Sequence, residues 1–223
     1  MREILEAIKP HETKLKEYAE LLLDYNRYVR LVGPSDAETL WEEHILDCVA
    51  ALPLLPPSGR VVDVGSGGGL PGMVWAICKP DITVSLVEAT RRKCEAVERM
   101  IKGLELENVR VIWARAEEEA SLRREFYDVA AARAVAEAGV LVEYLSPLVK
   151  VGGTLLAFKG RHARSELDPL TGRWRELGLG EPKLERYEIR GKERYVVLWE
   201  KVGLCPDKYP RRPGMAEKRP WWR

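Results

Sequence analysis

The segment that most constrains the fold is residues 61–72, VVDVGSGGGLPG. Its β-branched start predicts a buried strand, and the glycines that follow predict a loop whose backbone N–H groups can approach a ligand closely. Pro71 suits the first turn of a helix, where its missing N–H costs little. A strand, a glycine-rich loop and a helix in this order predict a nucleotide-like ligand at the carboxyl edge of a parallel sheet. An ordinary tight turn between strand and helix is the alternative.

Strand-like and helix-like runs alternate through the middle of the chain. Short β-branched runs lie at residues 61–64, 82–87, 109–113, 129–132 and 154–158. Helix-compatible segments, among them 91–102 and 137–149, separate them, which predicts a parallel sheet with helices on both faces. Two further runs, 183–190 and 193–201, flank a turn with Gly191 and predict an antiparallel hairpin. The predicted fold class is α/β, a Rossmann-like doubly wound sheet that ends in this hairpin.

The sequence pattern divides the chain into three regions. Residues 1–58 predict an N-terminal helical extension, because apolar residues such as Leu15, Tyr18 and Leu22 recur at three- and four-residue steps. Residues 59–200 contain the predicted sheet. Residues 201–223 are rich in proline, cations and rings, and they predict a basic aromatic tail.

Composition and charge exclude several classes of protein. A formal net charge of +1 argues against a highly basic nucleic-acid-binding tail protein, although a local basic patch remains compatible with it. The four cysteines lie far apart without a Cys-x-x-Cys spacing, which argues against disulfides and zinc. The N-terminus lacks a signal-peptide pattern, and no run approaches the roughly 20 apolar residues that span a bilayer. We therefore expect a cytoplasmic protein with no metal and no membrane partner.

Two acids near the glycine loop distinguish between cofactors. Asp63 ends the first predicted strand, and Glu88 ends the second, where an acid can accept hydrogen bonds from both ribose hydroxyls. Gly67, Gly69 and Gly72 formally match the dinucleotide fingerprint, but a carboxylate beside the loop would repel a pyrophosphate. S-adenosylmethionine carries an ammonium and a sulfonium and no phosphate. The two acids together therefore favour S-adenosylmethionine.

Several motifs resemble those of the bacterial GidB/RsmG methyltransferases, which methylate N7 of one guanine in 16S ribosomal RNA. They are DVGSGGGLPG, LVEATRRK, the RAE of residues 115–117, the RAVA of 133–136, the FKG of 158–160 and KYPRRPG near the end. HILDC at 44–48 is similar to the family's His-Ile-Leu-Asp-Ser, and Arg30-Leu31-Val32 stands where the family usually has Asn-Leu-Thr. The resemblance implies a class I S-adenosylmethionine-dependent methyltransferase whose partner is 16S rRNA, the small ribosomal subunit or an assembly intermediate. We expect a monomer.

The resemblance also implies roles for individual residues. Implied cofactor contacts are Gly65, Leu70, Glu88, Ala89, Thr90, Ala116, Glu117 and Arg133, and the loop itself adds Asp63, Ser66 and Gly67 as candidates. Cations on motifs that the family associates with its active face and RNA are Arg115, Arg133, Lys159 and Arg194. Three of them have a structural alternative: Arg115 can pair with a helix acid, Lys159 can cap a strand end, and Arg194 can flank the hairpin turn.

Methylation at guanine N7 needs no general base, because this nitrogen has an in-plane lone pair and carries no proton. It needs in-line placement of nitrogen, methyl and sulfur. The sequence agrees, since it has neither the Asn-Pro-Pro-Tyr type of motif of amine methylation nor the Pro-Cys nucleophile of carbon-5 methylation. His44 and Asp47 lie one helical turn apart, and we expect them to have a structural or substrate-positioning role rather than to act as a catalytic pair.

The predicted tail offers groups that suit RNA. It carries seven cations against two acids, with aromatic residues between them. Cations for phosphates and rings for bases are what single-stranded or looped RNA requires, and proteins cannot easily reach N7 of a paired guanine. The predicted RNA contacts are Lys208, Arg211, Arg212, Lys218, Arg219, Trp221 and Trp222. A solvated, proline-stiffened terminus is the alternative.

Two rival functions fit parts of the same pattern. An NAD-dependent dehydrogenase would use a similar glycine loop, but Asp63 argues against it. A non-catalytic ribosome-binding module would tolerate decay of the loop and of Glu88, and both are intact.

Overall fold

A seven-stranded sheet forms the centre of the molecule in the computed structural model, which describes residues 6–223. The strands are β1 (Gly59–Val64), β2 (Ile82–Glu88), β3 (Val109–Trp113), β4 (Tyr127–Arg133), β5 (Val149–Gly160), β6 (Lys183–Ile189) and β7 (Lys192–Glu200). Their order is β3-β2-β1-β4-β5-β7-β6. Strands β1 to β5 are parallel, and β7 is antiparallel to both β5 and β6. The predicted doubly wound sheet with a terminal hairpin is confirmed.

Helices cover both faces of this sheet. They are α1 (Glu12–Asn26), α2 (Ala37–Leu40), α3 (Gly72–Cys78), α4 (Arg91–Gly103), α5 (Ala116–Leu122), α6 (Ala138–Leu145), α7 (Ala163–Leu167) and α8 (Met215–Lys218). Helix α2 continues through a π-helical turn, Trp41–Ile45, and a further α-helical turn, Leu46–Val49. One hydrophobic cluster joins α1 to α4 with one face of the sheet, and a second joins α5 to α8 with the other.

Strand periodicity explains why the sheet has two cores. Side chains alternate between the two faces of a strand, so Val61 belongs to one cluster while Val62 and Val64 belong to the other. A strand buried on both faces reads as a continuous apolar run, which is the pattern that predicted the parallel sheet.

Two helices show how local sequence sets element ends. The helix predicted over residues 91–102 is confirmed as α4, whose Cys94, Val97 and Met100 are buried at helical spacing. The helix predicted over residues 137–149 ends earlier, because a 3₁₀ turn at Ser146–Leu148 follows α6. Pro147 has no N–H to continue the α-helical hydrogen-bond ladder.

The N-terminal helical region packs directly against the glycine loop. Leu15, Tyr18 and Leu22 of α1 are fully buried, and the Tyr18 hydroxyl donates a hydrogen bond of 2.9 Å to the Gly68 carbonyl. Residues 1–5, which begin the predicted extension and the segment without a signal-peptide pattern, lie outside the described residues. The boundary at residues 58 and 59 stays a prediction.

The C-terminal tail is part of the second core, so the sequence-based picture of a tail with free rings is wrong. Trp221 and Trp222 are only 7% and 8% exposed, and the Trp221 Nε1–H donates a 2.8 Å hydrogen bond to the Gly139 carbonyl. A Cβ at Gly139 would lie 2.4 Å from the Trp222 ring, so glycine permits this approach. Both rings are therefore unavailable for stacking on bases.

The five tail cations that were predicted to contact RNA divide into two groups. Arg211 forms a two-point ion pair with the buried Glu143, at 2.6 and 2.9 Å, which gives this guanidinium a structural role. Lys208, Arg212, Lys218 and Arg219 are exposed. For these four, RNA contact stays a prediction.

No helix within residues 6–223 is long and apolar enough to cross a bilayer. In the same part of the chain, His, Cys, Asp and Glu side chains nowhere form a group of three or more suited to a metal ion. The four cysteines are free thiols.

Candidate functional site

A cavity of about 550 Å³ opens at the carboxyl ends of β1, β4 and β5. Strand β1 lies between β2 and β4, so the direction of strand order reverses here. Ligands of doubly wound sheets bind at this switch point. The glycine loop forms one wall, and the helical segment after α2 together with the β6–β7 hairpin forms the opposite wall.

The glycine loop turns sharply because its backbone enters the left-handed region. Gly65 has φ +68°, and its N–H and that of Ser66 donate to the Val87 carbonyl at 2.8 and 3.2 Å. Gly72 lets helix α3 approach the sheet, since a Cβ there would lie 2.3 Å from Leu86 Cδ2. The loop is therefore held between β1 and β2 with its backbone bordering the cavity.

Glu88 holds the loop from the end of the neighbouring strand. Its Oε2 accepts the Gly67 N–H at 3.1 Å, and its Oε1 accepts the Thr90 N–H at 2.8 Å. The side chain is 8% exposed. These two bonds fix the carboxylate, and each oxygen has a second lone pair free for a ligand hydroxyl.

Asp63 lies beneath the loop rather than in the cavity wall. Its Oδ2 accepts the Gly72 N–H at 2.9 Å, and its Oδ1 has no hydrogen-bond partner within residues 6–223. Burial raises the pKa of this carboxyl to about 7, with Glu88 adding to the rise while the Gly72 N–H and Arg133 oppose it. The direct ligand contact expected from the sequence is therefore replaced by a buried contact with the start of α3.

Arg133, at the end of β4, is held by two side chains of the segment after α2. Its Nη1 lies 3.3 Å from Asp47 Oδ2, and its Nη2 lies 3.1 Å from His44 Nδ1. The Tyr187 hydroxyl, from β6, donates to Asp47 Oδ1 at 2.7 Å. Burial, and then the Arg133 charge, lower the pKa of His44 to about 4, so a neutral imidazole accepts the bond from the guanidinium. His44 and Asp47 thus position Arg133.

Lys159 ties two elements together at the edge of the cavity. Its Nζ donates to the Ala136 carbonyl at 2.7 Å and to Glu166 Oε2 at 2.6 Å. The same Glu166 oxygen accepts the Ala138 N–H at 3.0 Å. The ammonium therefore connects the end of β5 to the start of α6, which is close to the strand-end role named as its alternative.

Arg194 and Arg115 differ in their surroundings. Arg194 lines the cavity, its Nη2 lies 3.8 Å from Glu43 Oε2, and its buried Nε has no partner within the described residues. Arg115 is exposed at the start of α5, where its backbone N–H donates to Glu118 at 2.7 Å. A second cavity, of about 350 Å³, is lined by Ala89, Trp113, Ala114, Arg115 and Glu118.

The remaining predicted cofactor residues fall into three sets. Those that line the main cavity are Gly65, Ser66, Gly67 and Leu70. Ala89 and Thr90 are exposed just before α4, and Ala116 and Glu117 are buried in the first turn of α5. These four, like Glu88, are not among the residues that line the main cavity, and their contact with a cofactor stays a prediction.

From the hairpin, sequence reasoning named Arg194 but missed Tyr187, and both line the cavity. Tyr187 meets Asp47 across 140 positions of sequence, and no spacing rule links residues that far apart. Only the placement of β6 and β7 beside β5 brings Tyr187 to the site. Phe158 of β5 and Glu43 also line the cavity.

Comparison with known proteins identifies the family. The GidB family model, described as rRNA small subunit methyltransferase G, matches residues 11–187. The chain belongs to the GidB family. The "Ribosomal RNA small subunit methyltransferase G" of Moorella thermoacetica is 35% identical over 96% of this chain and 92% of its own length. The protein of the same name from Thermobifida fusca is 43% identical over 92% of this chain and 89% of its own length.

Solved structures support the fold of this GidB family member. M. jannaschii TYW2 in complex with AdoMet aligns with a TM-score of 0.56 and 15% identity, over 71% of this chain and 82% of that one. At this identity the likeness concerns the fold alone.

Proposed function

We propose that this GidB family member methylates N7 of a guanine in the 16S rRNA of the small ribosomal subunit, using S-adenosylmethionine. The observation that supports this most directly is the shared cavity. The Glu88-anchored glycine loop and the positioned Arg133 border the same space at the switch point of the sheet. A cofactor and a base can therefore meet there.

The residues around the loop fit the cofactor. Glu88 has lone pairs free for ribose hydroxyls, and the loop backbone leaves no side chain between the ligand and the sheet edge. The buried Ser66 Oγ has no partner within residues 6–223, and a ligand polar group would satisfy it. Ala89, Thr90, Ala116 and Glu117 extend the site toward the ends of β2 and β3. When bound, S-adenosylmethionine supplies an electrophilic methyl group on a sulfonium.

Several residues that line the cavity outside the glycine loop fit a guanine. Arg133 is fixed by Asp47 and His44, so a guanidinium is presented without loss of side-chain freedom on binding. Arg194 offers further donors to the oxygen atom of guanine or to a phosphate, and Phe158 offers an apolar surface. Because N7 carries no proton, these residues orient the base and remove nothing from it.

A reaction that needs no general base leads to a prediction about the pH dependence of its rate. We expect the single-turnover rate of methyl transfer, at saturating cofactor and RNA, to be flat between about pH 6 and 9. The pKa of Asp63 is about 7 and that of His44 about 4, so only Asp63 of the two titrates within this pH range. A catalytic role of Asp63 would therefore appear as a change of the rate with pH. If Asp63 acted as a base, the rate would rise about tenfold per pH unit up to its pKa and then level off. A rise with that midpoint would contradict the proposed chemistry.

We further infer that the substrate is 16S rRNA, the small subunit or an assembly intermediate. We also infer that the enzyme works as a cytoplasmic monomer and that exposed tail cations aid RNA binding. Lys208, Arg212, Lys218 and Arg219 support the last point, since they are exposed.

A further inference from the structure

Two large aromatic side chains are exposed on the surface, and one of them, Trp113, lines the second cavity. Trp113, the last residue of β3, is 60% exposed, and Tyr28, just after α1, is 72% exposed. Neither ring belongs to either of the two hydrophobic clusters. Exposed aromatic rings next to cations can serve as platforms on which unpaired bases stack.

Two consecutive arginines of α4 contact these two residues, Arg91 at the Trp113 ring and Arg92 at the Tyr28 backbone. The guanidinium carbon of Arg91 lies 5.3 Å from the Trp113 ring centroid, and the Trp113 Nε1–H donates to the Ala89 carbonyl at 3.0 Å. Arg92 Nη2 lies 3.5 Å from the Tyr28 carbonyl oxygen. We call Tyr28, Arg91, Arg92 and Trp113 the aromatic rim. Ala89 follows Glu88 directly, so the rim adjoins the candidate cofactor site.

The charge of the rim is largely unneutralised. Helix α4 opens with Arg91, Arg92 and Lys93 and has no acid in its first turn, although the helix dipole disfavours cations there. Within residues 6–223, Arg92 and Lys93 form no ion pair within 4 Å, and Arg91 pairs only with the exposed Glu95. Lys93 also lines the main cavity. Binding of an anionic partner would compensate for the unfavourable interaction of these three cations with the helix dipole.

Resting on the function proposed above, we propose that the aromatic rim binds a single-stranded or looped segment of the RNA substrate next to the target guanine. Tyr28 and Trp113 stack on unpaired bases, and Arg91 and Arg92 contact phosphates. Rings alternating with guanidinium groups suit RNA better than an acidic peptide, which has no bases to stack. The rim takes the role that the sequence suggested for the rings of the tail.

Two double variants test the rim in the full-length protein. Tyr28→Ser with Trp113→Ser should weaken binding of a 16S rRNA transcript by about tenfold or more, through lost stacking. Arg91→Gln with Arg92→Gln should make the slope of log K against log salt less negative by about 1.4, since each cation that contacts single-stranded RNA contributes about −0.7 to this slope. In the Arg91/Arg92 variant, which keeps the Trp113 bond to the Ala89 carbonyl, S-adenosylhomocysteine binding measured by calorimetry should stay unchanged.

The matched control is Arg99→Gln with Lys102→Gln, which removes the same charge from the far end of α4. Both are exposed and form no ion pair within the described chain. The control should bind RNA like the wild type, and thermal unfolding checks that all variants fold. Rim variants that bind and methylate RNA like the control would overturn the inference. If the wild type itself labels no rRNA, the proposed function fails instead.

Discussion

Replacing Trp222 with alanine is expected to lower the free energy of unfolding by about 3–5 kcal/mol. The indole is 8% exposed and lies against Gly139 of α6, so truncation leaves a cavity in the second core. Urea denaturation followed by fluorescence or circular dichroism measures the change. Arg219→Ala is the control, because this nearby tail residue is exposed and its replacement should change stability by no more than about 0.5 kcal/mol.

Deleting residues 201–223 should have a larger effect than any single change in the tail. The deletion removes Tyr209, Trp221 and Trp222 together and leaves the buried Glu143 without its arginine partner. We expect no cooperative unfolding transition from the truncated protein. A truncated protein as stable as the full chain would show that the tail does not belong to the core. Because folding is affected, RNA binding by the tail is better tested by replacing its exposed cations.

Replacing Glu88 with alanine should weaken S-adenosylhomocysteine binding by about 1.5–3 kcal/mol, on the order of 10- to 150-fold. We expect two causes: the carboxylate proposed to accept the ribose hydroxyls is removed, and the Gly67 and Thr90 N–H groups lose their acceptor. Isothermal titration calorimetry measures the affinity. Glu95→Ala, which removes an exposed acid one turn into α4, is the control and should leave the affinity unchanged.

Thermal unfolding separates loss of binding from loss of fold in the Glu88 variant. We expect a folded protein, because the side chain ties one loop rather than a core. An affinity equal to that of the wild type would remove Glu88 from the cofactor site.

Local signals predicted the fold well. The β-branched run before Gly65, the helical spacing of Cys94, Val97 and Met100, and the turn at Gly191 each depend on neighbours within a few residues. Such signals can be recognised from a short segment of the sequence without knowledge of distant residues. They gave the sheet, its helices and the hairpin.

Burial of the tail could not be predicted in this way. Cations interleaved with rings suit either RNA or a core, and the partners that decide are Gly139 and Glu143, more than 60 positions earlier. The same holds for Tyr187 and Asp47, which meet only after the hairpin joins the sheet. Asp63 was placed on the correct strand, but its burial beneath α3 follows from the packing of Gly72.

The most direct test uses S-adenosylmethionine with a labelled methyl group and small ribosomal subunits from cells that lack this enzyme. After incubation with the purified protein, borohydride reduction and aniline cleavage locate N7-methylated guanine in the 16S rRNA. The expected result is label at one guanine, with cleavage at that position. Label on another atom or another RNA, or none in the small subunit, would contradict methyl transfer from the cavity at the glycine loop to guanine N7.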